Sequence, residues 1–284
     1  MILLTGATGR IGGAAAKTLA KANIPFRVFV RDAEKFTLND NADIDVVVGD
    51  MQNADDIRRA VDGVEKALLV CANGEQQASM EMSFAREAAA AGVSHVIKIS
   101  SMEAAPDAVA TFPKQHFEIE MFIKTLNINW TMVRPNFFMQ NLLLFAAGIK
   151  NANLFALPLG AAKTGMLDAA DVGEYCAALL QQAGHEGQTY EVTGLELLDF
   201  HEVAARMSAV VGKEIRYIDQ DPEEFRNFLG QFIQSQWHLD GVCGLFAEIA
   251  DHSLEKVTTT MADTLGRDPV SLEDFTATYI NAFK

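Results

Sequence analysis

Short apolar runs alternate with segments of helical period through the first half of the chain. "MILLT" is an uninterrupted apolar strand, and the spacing after it predicts a helix from about Arg10 to Ala22. "FRVFV", ending at Val30, and "DIDVVVGD" read as the second and third strands, "ADDIRRAVDG" as a helix with an acidic first turn, and "KALLVC" as the fourth strand. "QASMEMSFAREAAAAG" is helical up to Gly92. It leads to the strand "HVIKIS", a helix from about Lys114 to Leu126, and the strand "WTMVRP". Strands this continuously apolar, separated by helices, predict a parallel sheet covered on both faces, an α/β doubly wound architecture.

The pattern changes after Pro135. "NFFMQNLLLFAAGIK" is unusually apolar, and Met and Phe stay prominent as far as "FLGQFIQSQWHLDGVCGLF". Helical and strand patterns return in "TGMLDAADVGEYCAALL" and "QTYEVTG", which read as elements rejoining the sheet. The expected organisation is therefore interleaved: residues 1–150 with 164–194 as a nucleotide-binding domain, and 195–284 as a smaller, mainly helical domain.

Composition narrows the classes. The 284 residues are 49% hydrophobic, ample for a large core. Mean hydropathy is +0.08, and no apolar run is long enough for a membrane span. The first residues run straight into a glycine turn, as a buried strand does and a secretory leader does not. A net charge of −15 repels phosphate backbones, so direct nucleic-acid binding is not expected. Three scattered cysteines without C-x-x-C spacing suit a reducing, cytoplasmic setting, and neither "GHEG" nor "HLDGVC" has metal-ligand spacing. An acidic surface of this kind is compatible with a monomer or a homodimer.

The chemistry begins at "TGATGRIGG". Its glycines, Gly6-x-x-Gly9-x-x-Gly12, follow a strand and open a helix, where close backbone approach and a helix N-terminus favour a pyrophosphate. Gly6, Ala7, Thr8, Gly9, Arg10, Ile11 and Gly12 are the expected cradle. The second strand ends "VFVRD". Arg31 stands where an acid would select NAD, and an arginine there pairs with the 2′-phosphate of NADP. Asp32 is read either as a ribose contact or as a cap of the next turn. Asp50 and Met51 close the third strand, where the adenine edge would lie, Asp50 being alternatively a helix cap. Cys71 and Ala72 close the fourth strand, where small residues let the cofactor approach. Asp168 and Asp171 in "DAADVG" read as the start of a helix rather than as an acid–base pair.

Taken in order, "TGATGRIGG", "VFVRD", "IKISSMEA", "TMVRPNFFMQNLL" and "TLGRDPVSLEDF" resemble the NmrA-like branch of atypical short-chain dehydrogenases, and within it the triphenylmethane reductase and NADPH:quinone oxidoreductase group. The resemblance spans nearly the whole chain. It implies a Rossmann domain, a small C-terminal domain and bound NADP(H), with Ser100 and Pro135 beside the cofactor. The wider family carries Tyr-x-x-x-Lys on the helix before the sixth strand. Counting back from "WTMVRP" places Phe112 at the tyrosine position and His116 at the lysine position. Phenylalanine transfers no proton, so ordinary alcohol–carbonyl chemistry loses its acid.

Hydride transfer survives that loss when the acceptor carries the charge itself. The resemblance therefore implies an NADPH-dependent reductase of quinone-like or other flat, electron-poor aromatic acceptors. His116 and Ser101 are the candidate catalytic groups. His116 is read as a ribose contact, a proton donor or a packing residue, and Ser100 and Ser101 as ligand contacts or turn formers. Phe137 and Phe138 are the candidate acceptor wall. The competing reading is an NADP(H)-binding redox sensor without turnover that acts through a protein partner.

Overall fold

The computed structural model describes residues 1–38 and 43–284. In chain order it contains β1 (Ile2–Thr5), α1 (Arg10–Lys21), β2 (Phe26–Val30), β3 (Ile44–Val48), α2 (Ala54–Val61), β4 (Lys66–Leu69), α3 (Gln77–Ala90), β5 (His95–Ile99), α4 (Thr111–Lys124) and β6 (Asn129–Pro135). There follow α5 (Ala146–Ala152), β7 (Leu154–Leu157), α6 (Ala169–Gln181), β8 (Gln188–Val192), α7 (Phe200–Val211), β9 (Arg216–Asp219), α8 (Pro222–Leu229) and α9 (Gln236–Ala250), then short helices to the end of the chain.

The chain divides into two compact units. The first comprises Met1–Pro106, Gln115–Arg134 and Ala169–Glu191, and the second Asp107–Lys114, Pro135–Asp168 and Val192–Lys284. These boundaries differ from those drawn on the sequence at 150 and 164. The chain passes into the second unit at Pro135, where β6 ends, and returns only at Ala169, where α6 begins.

The first unit is a Rossmann-like α/β layer structure around a seven-stranded sheet in the order β3-β2-β1-β4-β5-β6-β8. The pairings of β1 with β2 and β4, of β2 with β3, of β4 with β5, and of β5 with β6 are parallel. Chain direction across the sheet reverses between β1 and β4, and the strand ends at such a switch point are where open α/β sheets bind ligands. Thr5 fastens that point: its hydroxyl accepts from the Val70 amide at 2.7 Å and donates to the Val70 carbonyl at 2.9 Å. One face of the sheet is filled by a cluster that includes Leu3, Ile57, Phe84, Val96, Ile119 and Met132, with α2, α3 and α4 supplying the helical side.

Helix α1 packs on α6, and glycine sets how closely. A Cβ at Gly173 would lie 2.4 Å from the Ile11 carbonyl oxygen and 2.5 Å from Ala14 Cβ, well inside contact distance. In the second unit β7 pairs in parallel with β9, and Phe155, Phe200 and Tyr217 pack their rings beside that pair. Helix α7 opens with a full capping box, Asp199 and Glu202 each accepting from the other's backbone amide.

Because the atoms facing Gly173 are backbone and a short side chain, they have little room to yield. Gly173→Ala is expected to destabilise the protein by about 1–3 kcal/mol, measured as a lowered urea midpoint with an unchanged m-value.

Candidate functional site

The sheet brings most of the sequence-selected residues to one edge. Register pairs Thr5 with Phe29, Val30 with Val48, Leu69 with Lys98 and Ile99 with Val133, so the loops after β1, β2, β3, β4 and β5 leave the sheet side by side. Gly6–Gly12, Arg31, Asp50 with Met51, Cys71 with Ala72, and Ser100 with Ser101 all lie on those loops or the turns that follow them.

The glycine turn has the shape a pyrophosphate requires. Gly6 adopts φ +63°, which L-residues with side chains seldom hold, and its carbonyl accepts from the Gly9 amide at 2.8 Å. A Cβ at Gly12 would fall 2.4 Å from the Gly6 carbonyl oxygen, so only glycine lets α1 begin this close to the loop. Gly9 precedes α1 in an extended conformation, and no side chain caps the helix. Its first amides are thus left for an anionic ligand, aided by the helix dipole. Thr8, Gly9 and Arg10 are exposed on this turn, Ile11 is half-buried, and Ala7 is buried beneath it. These residues fit a dinucleotide phosphate on the structure's own terms.

At the end of β2, Arg31 is exposed, and among the described residues it makes no ion pair. Asp32 is engaged: its carboxylate accepts from the Glu34 amide at 3.0 Å and lies 3.7 Å from the Lys35 ammonium. Asp50 accepts from the Gln52 amide, while the cap of α2 is Asn53, which accepts from Asp55. The cap reading of Asp50 is thereby corrected: the cap lies three residues later, at Asn53, and the helix starts at Ala54. Met51 is half-buried, partly against the sheet core. Cys71 is a half-buried free thiol whose pKa is pushed up to about 12, chiefly by burial and secondarily by the Glu81 carboxylate. Such a thiol is not a nucleophile at neutral pH. Ala72 is exposed.

The structure separates the two serines. Ser100 is buried and donates to Glu120 Oε1 at 2.6 Å. Glu120, with no exposed surface, is also clamped by Arg134 through Nε at 2.9 Å and Nη2 at 2.6 Å. The Ser100 hydroxyl proton is thus committed to a structural network. Ser101 is half-buried and donates to Glu103 at 2.5 Å.

His116 is only 6% exposed, and its Nδ1 lies 2.8 Å from Lys98 Nζ. Lys98, completely buried on β5, also donates to the Ile99 carbonyl at 2.8 Å and lies 3.2 Å from Glu81 Oε2. Burial, with the charges of Lys98 and Arg134, holds the His116 pKa well below its ordinary value. The surroundings therefore favour the neutral ring. Sequence reasoning missed Lys98 and Glu81. The apolar runs "HVIKIS" and "SMEMSF" hid one charge each, and only their convergence from β5 and α3 marks them out.

In the second unit, Phe112 is buried in ring contact with Trp237 at 5.4 Å and His238 at 5.3 Å. It presses against Gly241, where a Cβ would meet its ring at 2.3 Å. Pro135 is buried. Phe137, 5% exposed, stands edge-on to Phe200 and Phe246 and is a core ring, so its assignment to an acceptor wall is corrected: packing leaves it no open face. Phe138 is half-buried and keeps some accessible surface. Among the described residues no group of three or more His, Cys, Asp and Glu side chains could hold a metal ion, and no helix is long and apolar enough to cross a membrane.

Residues 1–276 match the model of the NmrA-like family. An NAD(P)H azoreductase of Xenophilus azovorans is 31% identical over 283 residues, covering 100% of this chain and 99% of its own. An NADPH-dependent quinone oxidoreductase of Escherichia coli, solved in complex with NADPH, superposes with a TM-score of 0.91 at 24% identity, over 99% of this chain and 100% of its own. A triphenylmethane reductase of Citrobacter sp., solved with NADP(H), gives 0.87 at 21% identity, over 98% and 99%.

Replacing Arg134 leaves the Glu120 carboxylate buried without its bidentate partner. Arg134→Met is expected to cost about 3–5 kcal/mol, and the double variant Arg134→Met/Glu120→Met to recover part of it, as read by chemical denaturation. Stability is also expected to fall as pH drops below the ordinary histidine range. His95 and His116 both have folded pKa values lowered by burial, so the unfolded chain binds more protons and unfolding free energy rises with pH. Urea midpoints at pH 5.5 and 7.5 measure this. His116→Gln should flatten the difference, separating the histidine from Glu81, whose raised carboxyl pKa acts in the opposite sense.

Proposed function

The chain belongs to the NmrA-like family, and on that premise we propose that it is an NADPH-dependent reductase of flat, electron-poor aromatic acceptors such as quinones and azo or triarylmethane dyes. The observation that carries the reading is the glycine turn over an uncapped α1, together with Arg31 standing exposed at the end of β2 while Asp32 is engaged within its own turn. Gly6–Gly12 would hold the pyrophosphate, Arg31 the 2′-phosphate, Asp50 and Met51 the adenine side, and Cys71, Ala72, Ser100 and His116 the nicotinamide side. The full-length similarity to an NAD(P)H azoreductase supports turnover rather than binding alone.

When bound, the reduced nicotinamide supplies the hydride. The residues assigned to the site supply orientation and a low-dielectric surrounding, and at the family tyrosine position they supply no acid. Phe112 has no proton to give and is enclosed by aromatic rings, and His116 is held neutral. Acceptors that stabilise added negative charge themselves, or that begin cationic, suit such a site. Ser101 is assigned to the acceptor.

The test is stopped-flow oxidation of NADPH by the purified protein with a quinone, an azo dye and a triarylmethane dye, against a protein-free control. Saturable, protein-dependent oxidation is the expected result. Tight NADPH binding with no oxidation above control across the panel would instead favour a redox sensor working through a protein partner. Arg31→Ala is expected to raise the KM for NADPH roughly ten- to a hundredfold, the worth of one charge-assisted contact, with a much smaller fall in kcat. Equal kinetics with NADPH and NADH in the unmodified protein would overturn the Arg31 assignment.

A further inference from the structure

Lys98 meets three partners with none of its surface exposed: the Ile99 carbonyl at 2.8 Å, Glu81 Oε2 at 3.2 Å and His116 Nδ1 at 2.8 Å. A carbonyl oxygen can only accept, and so can a carboxylate. An ammonium has three donors and no lone pair, so the set of partners is complete when Nδ1 also accepts. We infer that Lys98 is a positioning residue that fixes His116 in its Nε2–H tautomer, making the ring a donor-only group for the nicotinamide ribose. The inference rests on the reductase reading for what His116 touches, whereas the tautomer rests on contacts within the chain and on the charge of Lys98.

The alternative arrangement is costly for a stated reason. If Nδ1 carried the hydrogen, Lys98 would have to accept it as a neutral amine. Glu81 Oε2 would then lose its only cation. Gln77 donates to the other oxygen, Oε1, at 2.8 Å, and Oε2 has only its 3.2 Å ion pair with Lys98 among the described residues. Either Glu81 then stays a buried carboxylate without its counter-charge, which is strongly disfavoured, or it takes the proton itself, and the single lone pair of the amine cannot accept from both Glu81 and Nδ1. The charges around His116 point the same way. Lys98 from β5 and Arg134 from β6 oppose a proton on the ring, Glu81 from α3 is paired with Lys98, and Glu120 from the same helix as His116 is paired with Arg134 and Ser100.

The consequence concerns the residue that replaces the family lysine. A lysine offers donors only, whereas a free neutral imidazole is a donor in one tautomer and an acceptor in the other. With Nδ1 occupied from behind by Lys98, the histidine offers Nε2–H alone. Ribose hydroxyl oxygens accept from such a group, as they would from lysine. Lys98 thus lets a neutral ring do the hydrogen-bonding work of an ammonium at the same place.

The test is a long-range proton–nitrogen correlation spectrum of the full chain labelled with ¹⁵N-histidine, recorded without cofactor between pH 5.5 and 8 and assigned by loss of the His116 signals in His116→Gln. The expected pattern is a pyridine-like Nδ1 and a pyrrole-like Nε2, unchanged across that range. In the charge-balanced variant Lys98→Met/Glu81→Gln the locked pattern should give way to averaged tautomers or to an ordinary titration, and the NADPH dissociation constant should rise by roughly three- to tenfold, as for one lost hydrogen bond. A pyrrole-like Nδ1 in the unmodified protein would overturn the inference, as would an unchanged pattern in the double variant. The first of these needs no variant beyond His116→Gln, used for the assignment. Because the spectrum requires no turnover, failure of the reductase reading shows in the NADPH assay and not here.

Discussion

The approach of Gly12 to the Gly6 carbonyl is the contact on which the first unit's architecture turns. It sets where α1 begins, and the missing Cβ is what permits it. From there α1 runs along the sheet and meets α6 at Gly173, again at a distance only glycine allows. Thr5 and Val70 lock the two strands that flank the turn. The result is a tight backbone turn running into a helix without a side-chain cap, and that turn is well suited to phosphate.

A second constraint governs the polar groups under the sheet edge. Two carboxylates, Glu81 and Glu120, are fully buried on helices that cover one face, and each is answered by a cation from a strand, Lys98 and Arg134. Buried charges persist only when paired and hydrogen-bonded, so these pairs fix how α3 and α4 sit on β5 and β6. They also decide what the neighbouring groups are able to do. Ser100 is turned towards Glu120, and His116 towards Lys98. The place where a tyrosine–lysine acid would be expected instead holds a neutral ring backed by a charge. This favours chemistry that asks little of the protein as an acid.

The alternation of apolar runs and helices, read from the chain alone, predicted the parallel sheet and nearly every element of the first unit. Such strands can be satisfied only when buried on both faces, so their pattern is local and strong. The glycine spacing was equally legible, because only a turn with φ above zero and a close backbone approach explains it. Arg31 after β2 and the loss of tyrosine at Phe112 could likewise be read directly from the string.

Tertiary structure decided the rest, because it depends on which side chains meet across elements far apart in sequence. That Phe137 is a core ring while Phe138 keeps accessible surface follows from the packing of Phe200 and Phe246, not from the "FF" pair itself. That α2 is capped by Asn53 rather than by Asp50 depends on where the backbone first turns helical. Lys98 and Glu81 sit singly in apolar runs, where sequence pattern gives a charge no meaning until its partner is found. The sequence by itself determined the fold and the phosphate turn, which are written in local periodicity and glycine. Only the folded chain decided the charge state and tautomer of the groups at the sheet edge, since those are set by burial and by neighbours that periodicity does not encode.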